Sequence, residues 1–203
     1  MLKVGVVGAT GYTGEELVKI LTGHERIEIA HLSAIVEKEE PISDIFPSLK
    51  GKIDLVCKKP NIDEAIGRID LIFLALPHRV SMEVAPKFLK AKKSVIDLSA
   101  DYRLPADIYK TWYGAEHKDK ANLPDAVYGL PELYRESIKN SRLIANPGCY
   151  PTSIILALAP LLKEAAADTA FIVADSKSGV TGAGRKADIA LSFGEVNENL
   201  KCY

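Results

Sequence analysis

Short apolar runs rich in β-branched residues alternate with stretches of helical periodicity over the first 145 residues. This pattern is typical of right-handed βαβ units around a parallel sheet. It predicts helices at Thr13–Leu21 and Val80–Leu89. It also predicts five main strands and one short additional strand, at Leu2–Val7, Ile27–Leu32, Leu71–Leu76, Ser94–Leu98, Arg142–Ala145 and, for the short one, Ile53–Cys57. We therefore expect an α/β fold with a Rossmann-like parallel sheet and helices on both faces.

Two regions depart from this alternation. Residues Ser99–Leu130 are poor in regular periodicity but rich in Tyr, Asp and Pro. A loop of that length inside a compact domain is usually functional, so we assign it to the ligand side of the sheet. Beyond Asn146–Cys149, an apolar helix is predicted over Thr152–Ala167 and a buried strand over Phe171–Ala174. We therefore expect a dinucleotide-binding domain at residues 1–148 and the start of a second domain at residues 149–203.

Composition and charge mainly exclude certain classes of protein. The chain has 203 residues, of which 47% are hydrophobic and 26% charged, with a net charge of -1. This charge balance does not favour nucleic-acid binding. The longest apolar run, Ile154–Leu162, is too short to span a membrane. Since the chain opens directly on a strand without a targeting peptide, we expect a cytoplasmic protein.

Three glycines spaced three residues apart follow the first predicted strand and lead directly into a helix. Glycines allow the tight turn and close backbone approach that a pyrophosphate needs, and the N–H groups of the helix N-terminus face its negative charge. The alternative is a tight turn that only requires positive φ. The position favours dinucleotide binding, with contacts predicted at Gly8, Thr10, Gly11, Tyr12, Thr13 and Gly14.

The end of the second predicted strand bears on the choice of cofactor. An NAD enzyme usually places an Asp or Glu there, about 20 residues after the glycines, to bind the ribose 2′-hydroxyl. Here the sequence reads Leu32-Ser33-Ala34. With no carboxylate to repel a 2′-phosphate, NADP is favoured, and Ser33 is a candidate donor to that phosphate. The alternative is that Ser33 merely ends a strand.

Cys149 is the candidate nucleophile among three well-separated cysteines, which show neither disulfide nor zinc spacing. It lies between a predicted strand and a predicted helix, beside a Pro-Gly turn that can expose it. A helix N-terminus favours the thiolate form of such a cysteine. Cys57, inside an apolar strand, and Cys202, near the end of the sequence, are interpreted as ordinary small residues. No metal site is predicted.

Further candidates lie on the segments that follow the predicted strands. A guanidinium suits a phosphate, and glycines with hydroxyls can form an anion nest. The substrate-phosphate candidates are Ser99, Arg103, Asn146, Arg185 and the neighbouring Lys186. Further cofactor-binding candidates are Pro77, His78, Ser178 and Gly179, of which His78 is expected to line the nicotinamide site.

Five motifs, in this order, resemble N-acetyl-gamma-glutamyl-phosphate reductases of arginine biosynthesis over the whole chain. They are Gly8–Gly14, Ala75–His78, Asp97–Asp101, Tyr128–Glu132 and Asn146–Thr152. The last motif separates this family from aspartate-semialdehyde dehydrogenase, whose cysteine has different neighbours. The resemblance implies that Cys149 attacks an acyl phosphate, that phosphate leaves, and that NADPH reduces the thioester to the semialdehyde. It also implies that residues 149–203 begin an incomplete α+β catalytic and dimerisation domain and that the whole protein is a homo-oligomer.

Two departures from the family pattern matter for function. Arg79 stands where the family generally has Gly, and it either adds a phosphate contact or caps a helix. The family's catalytic histidine lies beyond residue 203, so we expect this chain to bind NADP but to reduce substrate slowly or not at all. Three alternatives stay open: a reductase of an aminoadipyl phosphate in lysine biosynthesis, a cofactor-binding module without turnover, and, less favoured, a Cys-His hydrolase.

Overall fold

The computed structural model describes residues 1–166, 168–185 and 187–201. Within these ranges the chain forms eight strands. They are β1 (Leu2–Val7), β2 (Ile27–Ser33), β3 (Glu40–Pro41), β4 (Val56–Lys58), β5 (Leu71–Leu74), β6 (Ser94–Asp97), β7 (Ala126–Tyr128) and β8 (Leu143–Ala145). All five predicted main strands are present. The predicted short strand is displaced, because pairing begins at Val56 rather than Ile53.

The described residues also form eight α-helices and four short 3-10 helices. The α-helices are α1 (Tyr12–Thr22), α2 (Ile42–Ile45), α3 (Ile62–Arg68), α4 (Ser81–Lys90), α5 (Ala106–Tyr113), α6 (Pro131–Lys139), α7 (Cys149–Lys163) and α8 (Phe193–Val196). The 3-10 helices cover Pro47–Leu49, Leu123–Asp125, Val180–Ala183 and Ile189–Leu191.

The strands form one sheet in the order β3-β4-β2-β1-β5-β6-β8-β7. Only the pair of β3 and β4 is antiparallel among the described strands. From β1 the chain first moves outward to β2 and then returns to β5 on the other side, so the strand order reverses between β1 and β5. Open α/β sheets bind ligands outside the carboxyl ends of the strands at such a reversal. The predicted Rossmann-like α/β fold is confirmed.

Apolar residues cover both faces of this sheet, because successive side chains of a strand point to opposite faces. Val6 packs in a cluster with Val18 of α1 and Leu32 of β2, whereas Val7 packs in a second cluster with Leu74 of β5 and Phe88 of α4. The exposed fraction of these six residues is 0–7%. Two packed layers of helices therefore hold the carboxyl edge of the sheet in place.

Two expectations from the pattern are wrong. Phe171–Ala174 was expected to form a buried strand, but these residues belong to no strand, and Phe171 and Val173 are 83% and 75% exposed. Strand propensity reflects packing against neighbouring strands, and the described residues supply none there. Residues 99–130 are also more regular than predicted, since they contain α5 and β7. Both elements are too short for their periodicity to register in the sequence.

Candidate active site

The three glycines of the loop between β1 and α1 differ in the space that a Cβ atom would have at each position. Gly8 has a φ of +86°, and a Cβ there would lie 2.1 Å from the carbonyl oxygen of Ala75. A Cβ on Gly14 would lie 2.2 Å from the carbonyl oxygen of Gly8. A Cβ on Gly11 would meet nothing closer than 3.5 Å among the described atoms. Packing alone therefore requires glycine at the first and third positions, while the second faces open space.

This division matches the demands of a bound pyrophosphate. In dinucleotide-binding loops the first glycine makes the turn, the second lets the ligand approach the backbone, and the third allows close packing. Gly11 is also the residue that precedes helix α1, whose first-turn N–H groups lack partners within the helix. Thr10, Tyr12 and Thr13 lie in the same turn. The loop thus fits the phosphates of a dinucleotide cofactor.

Ser33 does not lie where the cofactor's 2′-phosphate was expected to meet it. Only 1% of the residue is exposed, and its carbonyl oxygen accepts hydrogen bonds from the N–H groups of Gly8 and Ala9 at 2.8 and 3.1 Å. Its side chain borders a small internal cavity together with that of His31. This burial gives no support to the expected contact between the Ser33 hydroxyl and a 2′-phosphate, which stays a prediction.

His78 lies at the carboxyl edge of β5, in the exposed turn that also contains Pro77. Its Nδ1 accepts a hydrogen bond of 3.0 Å from the N–H of Ala100. In a neutral imidazole with Nδ1 as acceptor, the proton is on Nε2, so the ring offers an N–H donor on its other side. Its ring also packs edge-on against Tyr113 at 5.5 Å. These contacts fix a side chain that we continue to propose for the nicotinamide side of the site.

The loop after β6 is held together by buried carboxylates. Asp101 is fully buried and accepts hydrogen bonds from the N–H groups of Arg79 and Met82, at 2.7 and 3.0 Å, and from the hydroxyl of Tyr109 at 2.8 Å. Asp97 is also fully buried, and this burial raises its pKa above the usual range. Sequence reasoning passed over Asp101 as a binding group, since nothing local shows that it joins three separate segments.

Ser99 serves this loop rather than a substrate. Its hydroxyl donates to Asp97 at 2.7 Å and accepts from the N–H of Asp101 at 3.1 Å, and only 1% of the residue is exposed. The expected contact of Ser99 with a substrate phosphate stays a prediction that these internal hydrogen bonds do not support. Arg79, the departure from the family pattern, directs its guanidinium to the carbonyl oxygen of Tyr113.

Arg103 links the ends of two neighbouring strands beside the candidate nucleophile. Its Nε donates to the carbonyl oxygen of Asn146, after β8, at 2.7 Å, and its Nη2 donates to that of Leu98, after β6, at 2.8 Å. Its Nη1 lies 3.2 Å from the place where a Cβ on Gly148 would stand. The N–H of Asn146 is itself bound to the carbonyl oxygen of Asp97 at 2.8 Å. Arg103 thus brings a positive charge to the residue before Cys149.

Cys149 is exposed and is the first residue of helix α7. Helix α7 begins three residues earlier than predicted, so the thiol lies at the helix N-terminus itself. Because β8 and β1 belong to the same parallel sheet, Cys149 and the glycine loop lie along one carboxyl edge. Two strands separate β8 from β1, which places the two about 14 Å apart along the sheet. Cys57, by contrast, is buried, and its burial, with a smaller effect of Glu39, raises the pKa of its thiol to about 11.

Arg185 lies at the cofactor end of this edge. Its Nη1 donates to the carbonyl oxygen of Thr10 at 2.9 Å, and its guanidinium lies 5.4 Å from the centroid of the Phe46 ring. Ser178 and Gly179 are exposed at the start of the same glycine-rich segment, where the Ser178 hydroxyl donates to the carbonyl oxygen of Gly179 at 3.1 Å. Lys186 and Cys202 lie outside the described residues.

Comparison with known families agrees with this geometry. The model of the semialdehyde dehydrogenase NAD binding domain matches residues 3–141, more than half of the chain. The chain belongs to the semialdehyde dehydrogenase family. The model of the family's dimerisation domain matches residues 149–203.

Individual members of the semialdehyde dehydrogenase family confirm the resemblance seen in the motifs. The chain is 49% identical to the N-acetyl-gamma-glutamyl-phosphate reductase of Desulfotalea psychrophila and 50% identical to that of Geobacter sulfurreducens. Each alignment runs over 204 residues and covers 100% of this chain but 59% of the relative. The chain therefore spans less than two thirds of the length of these curated relatives.

Solved structures support the fold. Aspartate semialdehyde dehydrogenase with NADP from Candida albicans superposes with a TM-score of 0.58, covering 81% of this chain and 47% of the other at 18% identity. Aspartate semialdehyde dehydrogenase II complexed with ASA from Vibrio cholerae gives a TM-score of 0.54, covering 80% and 47% at 21% identity. At this level of identity the likeness concerns the fold alone.

None of the helices formed by the described residues combines the length and apolar character needed to cross a bilayer. In the same part of the chain, no group of three or more His, Cys, Asp or Glu side chains is arranged to hold a metal ion.

Proposed function

We propose that this chain carries the cofactor site and the nucleophile of an NADPH-dependent reductase that converts N-acetyl-L-glutamyl 5-phosphate to N-acetyl-L-glutamate 5-semialdehyde. The observation that carries the proposal is an exposed cysteine, Cys149, at a helix N-terminus on the same sheet edge as a dinucleotide-type glycine loop. The names of the curated relatives supply the substrate. The proposal includes a cytoplasmic location. It also includes a homo-oligomeric whole protein, which the match of residues 149–203 to the dimerisation-domain model supports.

The first step would take place at the sulfur of Cys149. The thiolate attacks the acyl carbonyl carbon, a C–S bond forms, and the bond from that carbon to the phosphate oxygen breaks. Phosphate leaves with the bonding electron pair and a thioester remains on the enzyme. Cys149 is the first residue of α7, so the positive end of the helix dipole lies beside the sulfur and can stabilise negative charge that develops there. Bound NADPH would supply the hydride that reduces the thioester carbonyl to the aldehyde and releases the thiolate.

Arg103 would hold this arrangement together. Because it binds the carbonyl oxygens of Leu98 and Asn146, it fixes the turn that leads into Cys149. Its guanidinium at Gly148 also places a positive charge where phosphate charge develops as the C–O bond breaks. Asn146, whose backbone is anchored on both sides, is proposed to face the substrate with its side chain.

Acyl transfer to the enzyme can be tested without turnover. We expect the chain, mixed with N-acetylglutamyl phosphate in the absence of NADPH, to release one phosphate per chain and to gain the mass of one N-acetylglutamyl group. Cys149→Ala should abolish both signals. Ser153→Ala, an exposed change on the same helix, is the matched control and should retain them. Labelling that persists in Cys149→Ala would reject the thioester mechanism.

The same assay separates the alternatives. An aminoadipyl phosphate that acylates Cys149 faster than N-acetylglutamyl phosphate would point to the lysine-biosynthesis reductase. Absence of any acylation, with iodoacetamide reacting at Cys149 no faster than with a free thiol, would indicate a cofactor-binding module. Addition of NADPH to the acylated chain should release the semialdehyde, and the rate of that release measures how much of the second step these residues provide.

A further inference from the structure

Residues 33–35, at the end of strand β2, offer no exposed polar side chain for the 2′-phosphate of NADP. Ser33 is turned into the core, Ala34 is 4% exposed, and Ile35, the next residue, is 96% exposed but apolar. A 2′-phosphate left without a partner would gain nothing over a 2′-hydroxyl, so preference for NADP requires a donor from elsewhere in the chain. Such a donor has to reach the gap between the end of β2 and the glycine loop.

Arg185 lies at that gap although it is 175 residues away from the loop in sequence. Its Nη1 is bound to the carbonyl oxygen of Thr10, and its guanidinium lies over the ring of Phe46. Phe46 packs in the same apolar cluster as Ala34, at the end of β2, and Ala9, in the glycine loop. The guanidinium therefore lies over an apolar cluster that includes residues from both the end of β2 and the glycine loop.

The guanidinium of Arg185 is suited to binding an anion. A guanidinium has five N–H donors, and one hydrogen bond to Thr10 leaves others for a bidentate contact. Glu15, a carboxylate whose pKa Arg185 helps to lower, is engaged by Lys19 at 2.9 Å and by the hydroxyl of Ser48 at 3.0 Å. The hydrogen bond from Lys19, followed by that from Ser48 and the charge of Arg185, keeps the pKa of Glu15 low. Lys19 also pairs with Glu16 at 2.7 Å, so one positive charge is shared by the two carboxylates.

We infer that Arg185 recognises the 2′-phosphate of NADP and therefore determines cofactor choice. This replaces the expectation that Arg185 binds the substrate phosphate, since its position is at the glycine loop and not beside Cys149. The inference rests on the proposed function, in which the chain uses NADP. In this inference, the segment that follows residue 178 places the guanidinium of Arg185 beside the glycine loop.

Binding of reduced cofactor to the whole chain, followed by nicotinamide fluorescence, tests this inference. Arg185→Gln should raise the Kd for NADPH about 10- to 100-fold, the range expected for loss of a charge-assisted contact, and leave the Kd for NADH within about twofold. Lys177→Gln is the matched control, because it removes a neighbouring exposed positive charge that pairs with Asp175. It should leave both values unchanged.

Each other outcome contradicts the inference. Equal weakening of NADPH and NADH would assign Arg185 to the pyrophosphate, and unchanged cofactor binding with weaker acyl-phosphate binding would assign it to the substrate. Should Arg185→Gln lose its folded circular dichroism, the wild-type chain still decides, because 2′,5′-ADP must displace NADPH at lower concentration than ADP does. A wild-type chain that binds neither cofactor would reject the proposed function itself, whereas tight NADPH binding that ignores Arg185→Gln would reject this inference alone.

Discussion

Residues 1–148 and residues 149–201 both contain many apolar residues, but the two regions differ strongly in how far those side chains are buried. In the first region two clusters of apolar side chains are almost completely removed from solvent. In the second, none of the described residues is buried, and Phe171, Ile189 and Phe193 are about four-fifths exposed. Hydrophobic periodicity thus shows which face of an element is apolar, but not whether neighbouring parts of the chain bury that face.

The candidate nucleophile lies on the boundary between these regions. Strand β8 and Arg103, which position the turn before Cys149, belong to the well-packed region, while the helix that Cys149 begins belongs to the exposed one. Stability should therefore depend on the first region, and substitutions in the second should leave unfolding of the first nearly unchanged. Paired substitutions, one in each region, test this difference.

The largest effect is expected from removal of a buried ring. Phe88 is fully buried on α4, so Phe88→Ala should lower the free energy of unfolding by about 3–5 kcal/mol through lost burial and a cavity. Phe193→Ala, at a position that is 79% exposed, should change it by less than about 0.5 kcal/mol. Urea unfolding followed by far-UV circular dichroism measures both. Equal losses would mean that the second region is packed in solution.

A smaller contrast is expected for two glycines in helices. Gly14→Ala would force a Cβ to within 2.2 Å of a backbone oxygen and should cost about 1–3 kcal/mol, as overpacking does. Gly194→Ala, in α8, meets no described atom within 4 Å and should be neutral or raise helix stability by up to about 1 kcal/mol. Thermal unfolding of the two variants gives the comparison. A stable Gly14→Ala protein would contradict the close packing of α1 on the loop.

Helix caps should give a still smaller contrast. The Asn61 side chain accepts the N–H of Glu64 at 3.1 Å and begins α3, so Asn61→Ala should cost about 1 kcal/mol. Asp188 accepts the N–H of Ala190 at 3.0 Å and begins a 3-10 helix in the exposed region. Asp188→Ala should therefore change the unfolding free energy of the first region by less than about 0.5 kcal/mol. A loss as large as that of Asn61→Ala would show that the two regions unfold together.

The sequence predicted those parts of the site that depend on local order. The glycine loop needs only a strand, three glycines and a helix in succession, and Cys149 needs only a turn followed by a helix. The same holds for the main strands, because their apolar runs are distinct. A parallel sheet, with the cysteine just after the end of one of its strands, then follows from the βαβ pattern.

The residues that sequence reasoning misplaced depend on direction or on distant contacts. Ser33 is the last residue of β2 and is buried, and a shift of one residue reverses the face that a strand residue occupies. Ser99 follows β6 and is buried by its hydrogen bonds to Asp97 and Asp101. Arg185 reaches Thr10 across most of the chain, and no local pattern encodes that contact. Asp101 was missed for the same reason, since its three partners come from two other segments.

The smallest effect at neutral pH concerns His31, which should become important in acid. The residue is 3% exposed, and its Nε2 has no hydrogen-bond partner among the described residues. Burial lowers its pKa; the nearby Glu64 opposes this shift, whereas Arg68 and Lys58 add to it. Because the unfolded chain takes up the proton more readily than the folded one, stability should be complete above about pH 6.5 and fall as the pH drops below that value.

Substitution of this histidine isolates its share of the acid sensitivity. His31→Leu places an apolar side chain of similar size in the core and removes the titrating group. The unfolding free energy of this variant should therefore decline less than that of the wild type between pH 6.5 and pH 5. His24→Gln, at an exposed position, is the matched control and should follow the wild type. Urea unfolding at a series of pH values measures the slopes. Parallel curves for His31→Leu and the wild type would mean that the proton enters the folded protein at His31 without cost, and the packing of the first region around β2 would then be looser than its burial indicates.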